Sequence, residues 1–131
     1  MLSTVMIFSN VSFIFGLENN DRDFYDINNL GWQKEMHTGW LFDRQDYYYL
    51  DSKGVMKTGW VYVYSYYSYQ YEYYYCGSDG RLRAGWKSMG GKTYFFLPKN
   101  LSGHPLGAMV MGYWTIDGVY HKFDNSGALI W

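Results

Sequence analysis

Between Asp46 and Trp86 the chain alternates between runs of rings and short polar breaks. Tyr47-Tyr48-Tyr49 is followed by Asp51-Ser52-Lys53-Gly54, and Tyr73-Tyr74-Tyr75 by Gly77-Ser78-Asp79-Gly80. Aromatic runs bounded by such breaks predict β-strands, and a glycine at the end of each break supplies the positive φ that closes a turn. The densest run, VYVYSYYSYQYEYYY from Val61 to Tyr75, contains nine tyrosines in fifteen residues. Tyr62, Tyr64 and Tyr66 share one phase of alternation. Tyr67, Tyr69, Tyr71, Tyr73 and Tyr75 take the other. A slip of phase midway through predicts a hairpin turning at Ser65-Tyr66-Tyr67-Ser68, with each arm three residues, about 10 Å, longer than in its neighbours.

The pattern repeats. Gly-Trp occurs at 31–32, 39–40, 59–60 and 85–86, with Gly112-Tyr113 as a variant. YYYLDSKGVMKTGW (47–60) aligns without a gap on YYYCGSDGRLRAGW (73–86), and GWKSMGGKTYFF (85–96) and GYWTIDGVYHKFDNSGAL (112–129) fit less closely. Each unit reads as one hairpin. Gly-Trp opens a strand, a turn such as Asp43-Arg44-Gln45-Asp46 or Ile116-Asp117-Gly118 reverses it, and an aromatic strand returns. One hairpin cannot bury enough surface to stand alone, whereas stacked hairpins can. The predicted fold is therefore an all-β solenoid of stacked β-hairpins over 31–131.

Spacing within the units sets further expectations. The first returning ring comes seven residues after Trp40 (Tyr47) and after Tyr113 (Tyr120), but thirteen after Trp60 (Tyr73). In a short hairpin this predicts that the two rings stand roughly opposite each other. Thr93 holds the equivalent place after Trp86. LPKNLSGHPL (97–106) contains both prolines and reads as an exposed loop inserted before Gly107-Ala108-Met109, which realigns with Gly54-Val55-Met56.

Composition narrows the function. Rings make up 23% of residues, more than a core of this size needs, while the net charge of −1 favours neither nucleic acid nor an anionic membrane as partner. The single cysteine, Cys76, excludes an internal disulfide. His37, His104 and His121 are scattered without zinc spacing, so no metal and no cofactor is expected. The carboxylates fall mostly in turns of the repeat, which argues against an enzyme. Residues 1–17 carry no charge and are too short and interrupted to cross a bilayer. They read as a shortened secretion signal, or alternatively as an N-terminal strand pair, VMIF with VSFIF, that caps the domain. The polar stretch 18–30 reads as a linker or a degenerate first unit.

GWLFDRQDYYYLDSKGVMKTGW (39–60) resembles the cell-wall-binding repeat of choline-binding proteins: Gly-Trp, a turn, an aromatic triplet, Gly-x-Met, Gly-Trp. The resemblance covers 31–131 and is strongest over 39–86. It implies a non-catalytic module that recognises choline, or phosphocholine, on cell-wall teichoic acids of a Gram-positive bacterium, including when carried by its phage. A wall-lysing enzyme of this kind would carry a separate catalytic domain, for which this length leaves no room. The implied location is the bacterial surface, secreted and held on the wall non-covalently. Related repeats bind glucans, so a glycan is the alternative ligand, and a Tyr-rich edge strand offers pairing in a homodimer.

In such modules the ligand lies between consecutive hairpins, boxed by the Gly-Trp ring, the first ring of the triplet and the third ring of the next triplet. Carried over, one site comprises Trp40, Tyr47 and Tyr75 over Met56. A second comprises Trp60, Tyr73 and Phe95. A partial site uses Trp32 and Tyr49. A further one uses Trp86, but Thr93 and Lys122 stand where rings are expected, so that site is expected to be lost or remade. A quaternary ammonium has no N–H to donate, and ring faces are the recognition chemistry it allows. The same rings at repeat positions would also serve as plain core packing between hairpins.

Overall fold

The computed structural model describes residues 37–131 with their side chains. It describes 3–8, 11–16, 25–26 and 33–34 as backbone strands. Among the described residues there is no helix, and every strand pairs antiparallel with its neighbour in sequence. The hairpins are β1 (Ser3–Phe8) with β2 (Val11–Gly16), β3 (Tyr25–Asp26) with β4 (Gln33–Lys34), and β5 (Gly39–Asp43) with β6 (Asp46–Leu50). They continue with β7 (Gly59–Ser65) and β8 (Gln70–Cys76), β9 (Gly85–Met89) and β10 (Lys92–Phe96), and β11 (Gly112–Ile116) and β12 (Val119–Phe123). This is the all-β hairpin array expected from the repeats.

The chain forms two compact units, Met1–Thr58 with Ser78–Arg81, and Gly59–Gly77 with Leu82–Trp131. In the first, β5 and β6 turn through Arg44 and Gln45, both at positive φ (49° and 73°). Two successive positive φ values match the right-handed twist of the flanking strands. Leu41, Leu50 and Met56 form a buried cluster against Tyr48. Burial, reinforced by the negative charge of Asp46, holds the Tyr48 hydroxyl above its usual pKa. Arg81 pairs with Asp79 at 3.0 Å and lies 3.7 Å from Asp46.

In the second unit, β9–β10 and β11–β12 also have two-residue turns, at Gly90-Gly91 and Asp117-Gly118, again with both φ positive. The hairpin β7–β8 departs from this plan. Its strands have seven residues instead of five, and its loop is the four residues Tyr66–Tyr69. The turn thus lies one residue later than predicted. Ser65 is the last residue of β7, and its hydroxyl accepts from the backbone N–H of Tyr67 (3.2 Å) and Ser68 (3.3 Å). That cap, with Tyr69 at φ 55°, closes the loop. The six extra residues divide as two per strand and two in the loop. Each arm therefore gains about 7 Å rather than 10 Å.

A regular ladder runs through the repeats. The residue after each triplet is deeply buried and bridges to the linker beyond its turn: Leu50 to Met56, Cys76 to Leu82, Phe96 to Met109 and Phe123 to Leu129. The linker side chain then packs on a glycine of the next turn. Met56 lies against Gly80, Leu82 against Gly107 and Met109 against Gly127, where a Cβ would overlap the side chain in each case. The inserted loop leaves this register intact. Leu97 N–H donates to the Ala108 carbonyl (2.9 Å), as Asp51 N–H donates to Val55 (2.9 Å) and Asp124 N–H to Ala128 (2.8 Å). The insertion is grafted onto a turn whose closing bonds are kept.

Candidate ligand-binding site

The Gly-Trp motif has a backbone reason. Gly39, Gly59, Gly85 and Gly112, each directly before a strand ring, all have φ between 77° and 81°. The chain leaves its linker and enters the strand through a left-handed residue, a conformation that side chains with a Cβ resist. The following ring is thereby aimed at a fixed place beside its hairpin.

Trp60 is surrounded by four rings. Directly opposite on β8 stands Tyr75, with ring centroids 5.4 Å apart, and diagonally Tyr73 at 6.4 Å. From the next hairpin β10 contributes Tyr94 at 5.1 Å and Phe96 at 5.8 Å. Tyr73, Tyr75 and Tyr94 meet the indole steeply, at 75–89°. Rings set at such angles make walls rather than a stack. Trp60 nevertheless remains 43% exposed, which a ring serving only as core filling would not be.

Two hollows share Trp60 and Tyr94. One, of about 380 Å³, is lined by Trp60, Tyr73, Tyr94, Met109, Asn125 and Ser126. The lining contains three rings, a thioether and no charged side chain. Ser126 is fixed by Asp124, whose Oδ1 accepts from the N–H (2.8 Å) and hydroxyl (2.7 Å) of Ser126 and from the N–H of Ala128 (2.9 Å). The Ser126 hydroxyl, then these N–H donors, pull the Asp124 pKa below the usual carboxylate value. The second hollow, of about 460 Å³, is lined by Gly59, Trp60, Tyr75, Met89, Gly90, Lys92 and Tyr94. Lys92 lines it, and the Lys87 ammonium lies 5.2 Å from the centroid of Tyr75. A cation already engages that ring, so the first hollow is the one suited to a cationic ligand.

The structure brings some of the predicted residues together and separates others. Trp60 and Tyr73 meet as expected. Phe95 does not join them. It sits opposite Trp86 (4.9 Å), because side chains alternate along β10 and those facing Trp60 are Tyr94 and Phe96. The ring that the next hairpin supplies is thus the middle one of its Thr93-Tyr94-Phe95 set. The ring directly across from each Gly-Trp is the third of its own triplet, not the first: Trp40 faces Tyr49 (5.0 Å) and Trp60 faces Tyr75. Tyr47 stands two positions outward, against Phe42 (4.7 Å). Met56 lies buried in the first unit with Trp40 and Tyr47, and Tyr75 belongs to the second unit. Trp32 lies outside the described residues, and with it the partial site. Trp86 meets Phe95, His121 (5.1 Å) and Phe123 (5.9 Å), while Thr93 bonds the Ser88 hydroxyl (2.9 Å). Lys122 lies over Tyr113 at 5.3 Å. Tyr94, Met109, Asn125 and Ser126 were not singled out. The alignment of Met109 with Met56 was the available signal for one of them.

No family model matches the sequence, and no curated protein matches it significantly. Solved structures do. Choline binding protein F from Streptococcus pneumoniae, crystallised in the presence of a tetrasaccharide-pentapeptide peptidoglycan analogue, is 29% identical with a TM-score of 0.70. The match covers 98% of this chain and 34% of that one. A second crystal form of the same protein gives 30% identity and a TM-score of 0.67, covering 98% and 35%. The choline binding domain of Spr1274 from Streptococcus pneumoniae is 26% identical with a TM-score of 0.55, covering 72% of this chain and 96% of that domain. This chain therefore spans about a third of choline binding protein F but nearly the whole of the isolated domain.

Proposed function

We propose that this chain, a repeat array of the choline-binding type in sequence pattern and fold, is a non-catalytic wall-binding module. It captures the choline of phosphocholine-bearing teichoic acid from outside the cell. The observation that carries this reading is the uncharged hollow of Trp60, Tyr73 and Tyr94 with Met109. Three ring faces can surround a trimethylammonium group that offers no hydrogen bond, and the thioether adds a polarizable apolar surface. Each ring contributes about 0.5–2 kcal/mol, so one site binds a single choline with roughly millimolar affinity. Trp40 and Tyr47 hold the positions in β5–β6 that Trp60 and Tyr73 hold in β7–β8, and are assigned the same work. A polymer carrying many cholines then gains roughly 10²–10⁴-fold from engaging several sites.

The test is a choline titration followed by tryptophan fluorescence. Wild type should saturate in the millimolar range, and Trp60→Ala should lose the share of the response that this hollow supplies while keeping its hairpins. An unaltered titration in Trp60→Ala removes this site. Retention on dextran, unaffected by free choline, would replace choline by a glycan as the ligand of these rings.

A further inference from the structure

The long hairpin carries more rings than the hollow uses. Its register places Trp60 opposite Tyr75, Tyr62 opposite Tyr73 and Tyr64 opposite Tyr71, and all six side chains lie on one face. Successive rungs are two residues apart, so the three span about 14 Å from first to last. Tyr62 stacks on Tyr73 (4.2 Å, 26° between planes) and lies 5.2 Å from Tyr71. Tyr64 meets Tyr71 (5.5 Å) and Tyr66 (5.1 Å) edge to face. The rings thus brace one another, yet Tyr62 and Tyr71 remain 55% and 58% exposed.

The opposite face is committed to the interior. Val61, Glu72 and Tyr74 are buried there, and burial pushes the Tyr74 hydroxyl up to about 12. The inserted loop is fastened on the same hairpin. His104 Nδ1 lies 2.7 Å from Glu72 Oε1, and the Gln70 side-chain amide donates to that oxygen at 3.0 Å. With one face anchored, the tyrosine face is held toward solvent. The two extra residues in each strand, absent from the sibling hairpins, are what add the Tyr64–Tyr71 rung.

We propose that this stripe is a sugar-stacking platform for a short segment of neutral glycan running outward from the Trp60 hollow. The chemistry of the face selects that occupant. Tyr62 and Tyr73 lie nearly flat on one another instead of standing as steep walls, so this part of the face does not box a cationic head group as the hollow does, and it has no aliphatic side chain for the knob-and-hole packing of a protein core. Tyrosine offers flat rings for the C–H faces of a pyranose and hydroxyls for its polar edge, with only two side-chain torsions to restrain. The stripe also joins the hollow through Tyr73, so one wall polymer could engage both. The platform is nonetheless independent of the choline reading, since Tyr62, Tyr64 and Tyr71 do not line the hollow.

The experiment titrates chitotetraose and isomaltotetraose separately into the whole chain, following ring resonances by NMR. Choline titrations are run in parallel. At least one sugar should perturb Tyr62, Tyr64 and Tyr71. The double variant Tyr64→Ser/Tyr71→Ser should weaken that sugar at least tenfold and leave the choline response unchanged, which also shows that the variant is folded. Tyr64→Phe/Tyr71→Phe should keep most of the binding, because the ring faces remain. The proposal is overturned if neither sugar binds wild type or if the serine variant binds as well as wild type. It is equally overturned if binding is lost only in Trp60→Ala, which would place the sugar in the hollow. A concentration-dependent dimer abolished by the serine substitutions would instead assign the face to a second copy.

Discussion

Gly127 is a turn residue by sequence and a packing residue by structure. It has φ 81°, and a Cβ there would fall on the Met109 sulfur that lines the Trp60 hollow. Gly127→Ala combines left-handed strain with overpacking and should cost about 2–4 kcal/mol. Because Met109 must move, choline affinity should fall as well. Urea unfolding and a choline titration on the same sample check both. Asp124, three residues earlier, makes an acid-side prediction. Its folded pKa is depressed, so its contribution is present above the unfolded value and is lost as pH falls through the folded one. Stability should therefore decline below about pH 4. Asp51 follows the same sign, its Oδ1 accepting from Val55 (3.0 Å) and Lys53 (2.8 Å). Asp124→Asn keeps an acceptor oxygen and removes the proton exchange. Urea midpoints compared at neutral and acid pH should show a shallower acid decline in that variant.

At the scale of hairpins, the sequence announced the elements but misplaced the partners across them. Gly-Trp, the triplets and the Asp-Ser-Lys-Gly type breaks were sufficient to identify each strand pair. Ring spacing alone suggests Tyr47 opposite Trp40. The turn lies at Asp43-Arg44-Gln45-Asp46 as expected, and pairing about its central Arg44-Gln45 makes Tyr49 the partner of Trp40. The polar break marks the turn, but neither Arg nor Gln advertises a positive φ, so the residue types do not show that the loop is only two residues long. Ser65, by contrast, is a turn residue by type and is in fact the strand end capping the loop. The tie between the inserted loop and β8 was not legible either, since His104 and Glu72 are far apart in sequence and meet only through folding. Glu72 is almost fully buried, and His104→Ala should leave its carboxylate with Gln70 as its remaining side-chain partner. We expect a loss of about 2–4 kcal/mol. In a cycle with Glu72→Gln, the double variant should recover part of it. Additive losses in the cycle would remove the pairing.

Within the second unit the repeat works as a chain of nearest-neighbour contacts. Met109 N–H donates to the Tyr73 carbonyl (2.8 Å), and one unit on Leu129 N–H donates to Thr93 (2.7 Å). Leu82 seats on Gly107 as Met109 seats on Gly127. Each linker therefore ties its own hairpin to an adjoining one, and stability should spread along the array rather than collect in one core. This periodicity was visible in the gapless alignment of 47–60 on 73–86. The middle ring as the contribution of the next hairpin was not, because it depends on which strand face meets the neighbour.

The lysines over Tyr75 and Tyr113 give the array a property that ring counting misses. Lys87 and Lys122 are ammonium groups that the protein lays on its own aromatic faces. Under the proposed choline reading they are resident competitors, tethered at high local concentration, which a choline from solution would have to displace. On that reading the valency of the array would be set by lysines as much as by tryptophans, and a single substitution would raise or lower it. Replacing Lys87 and Lys92 with glutamine should free the second hollow beside Trp60 and add one choline equivalent to the stoichiometry measured by calorimetry. Grip on a choline-bearing wall would thus be adjustable without rebuilding any hairpin.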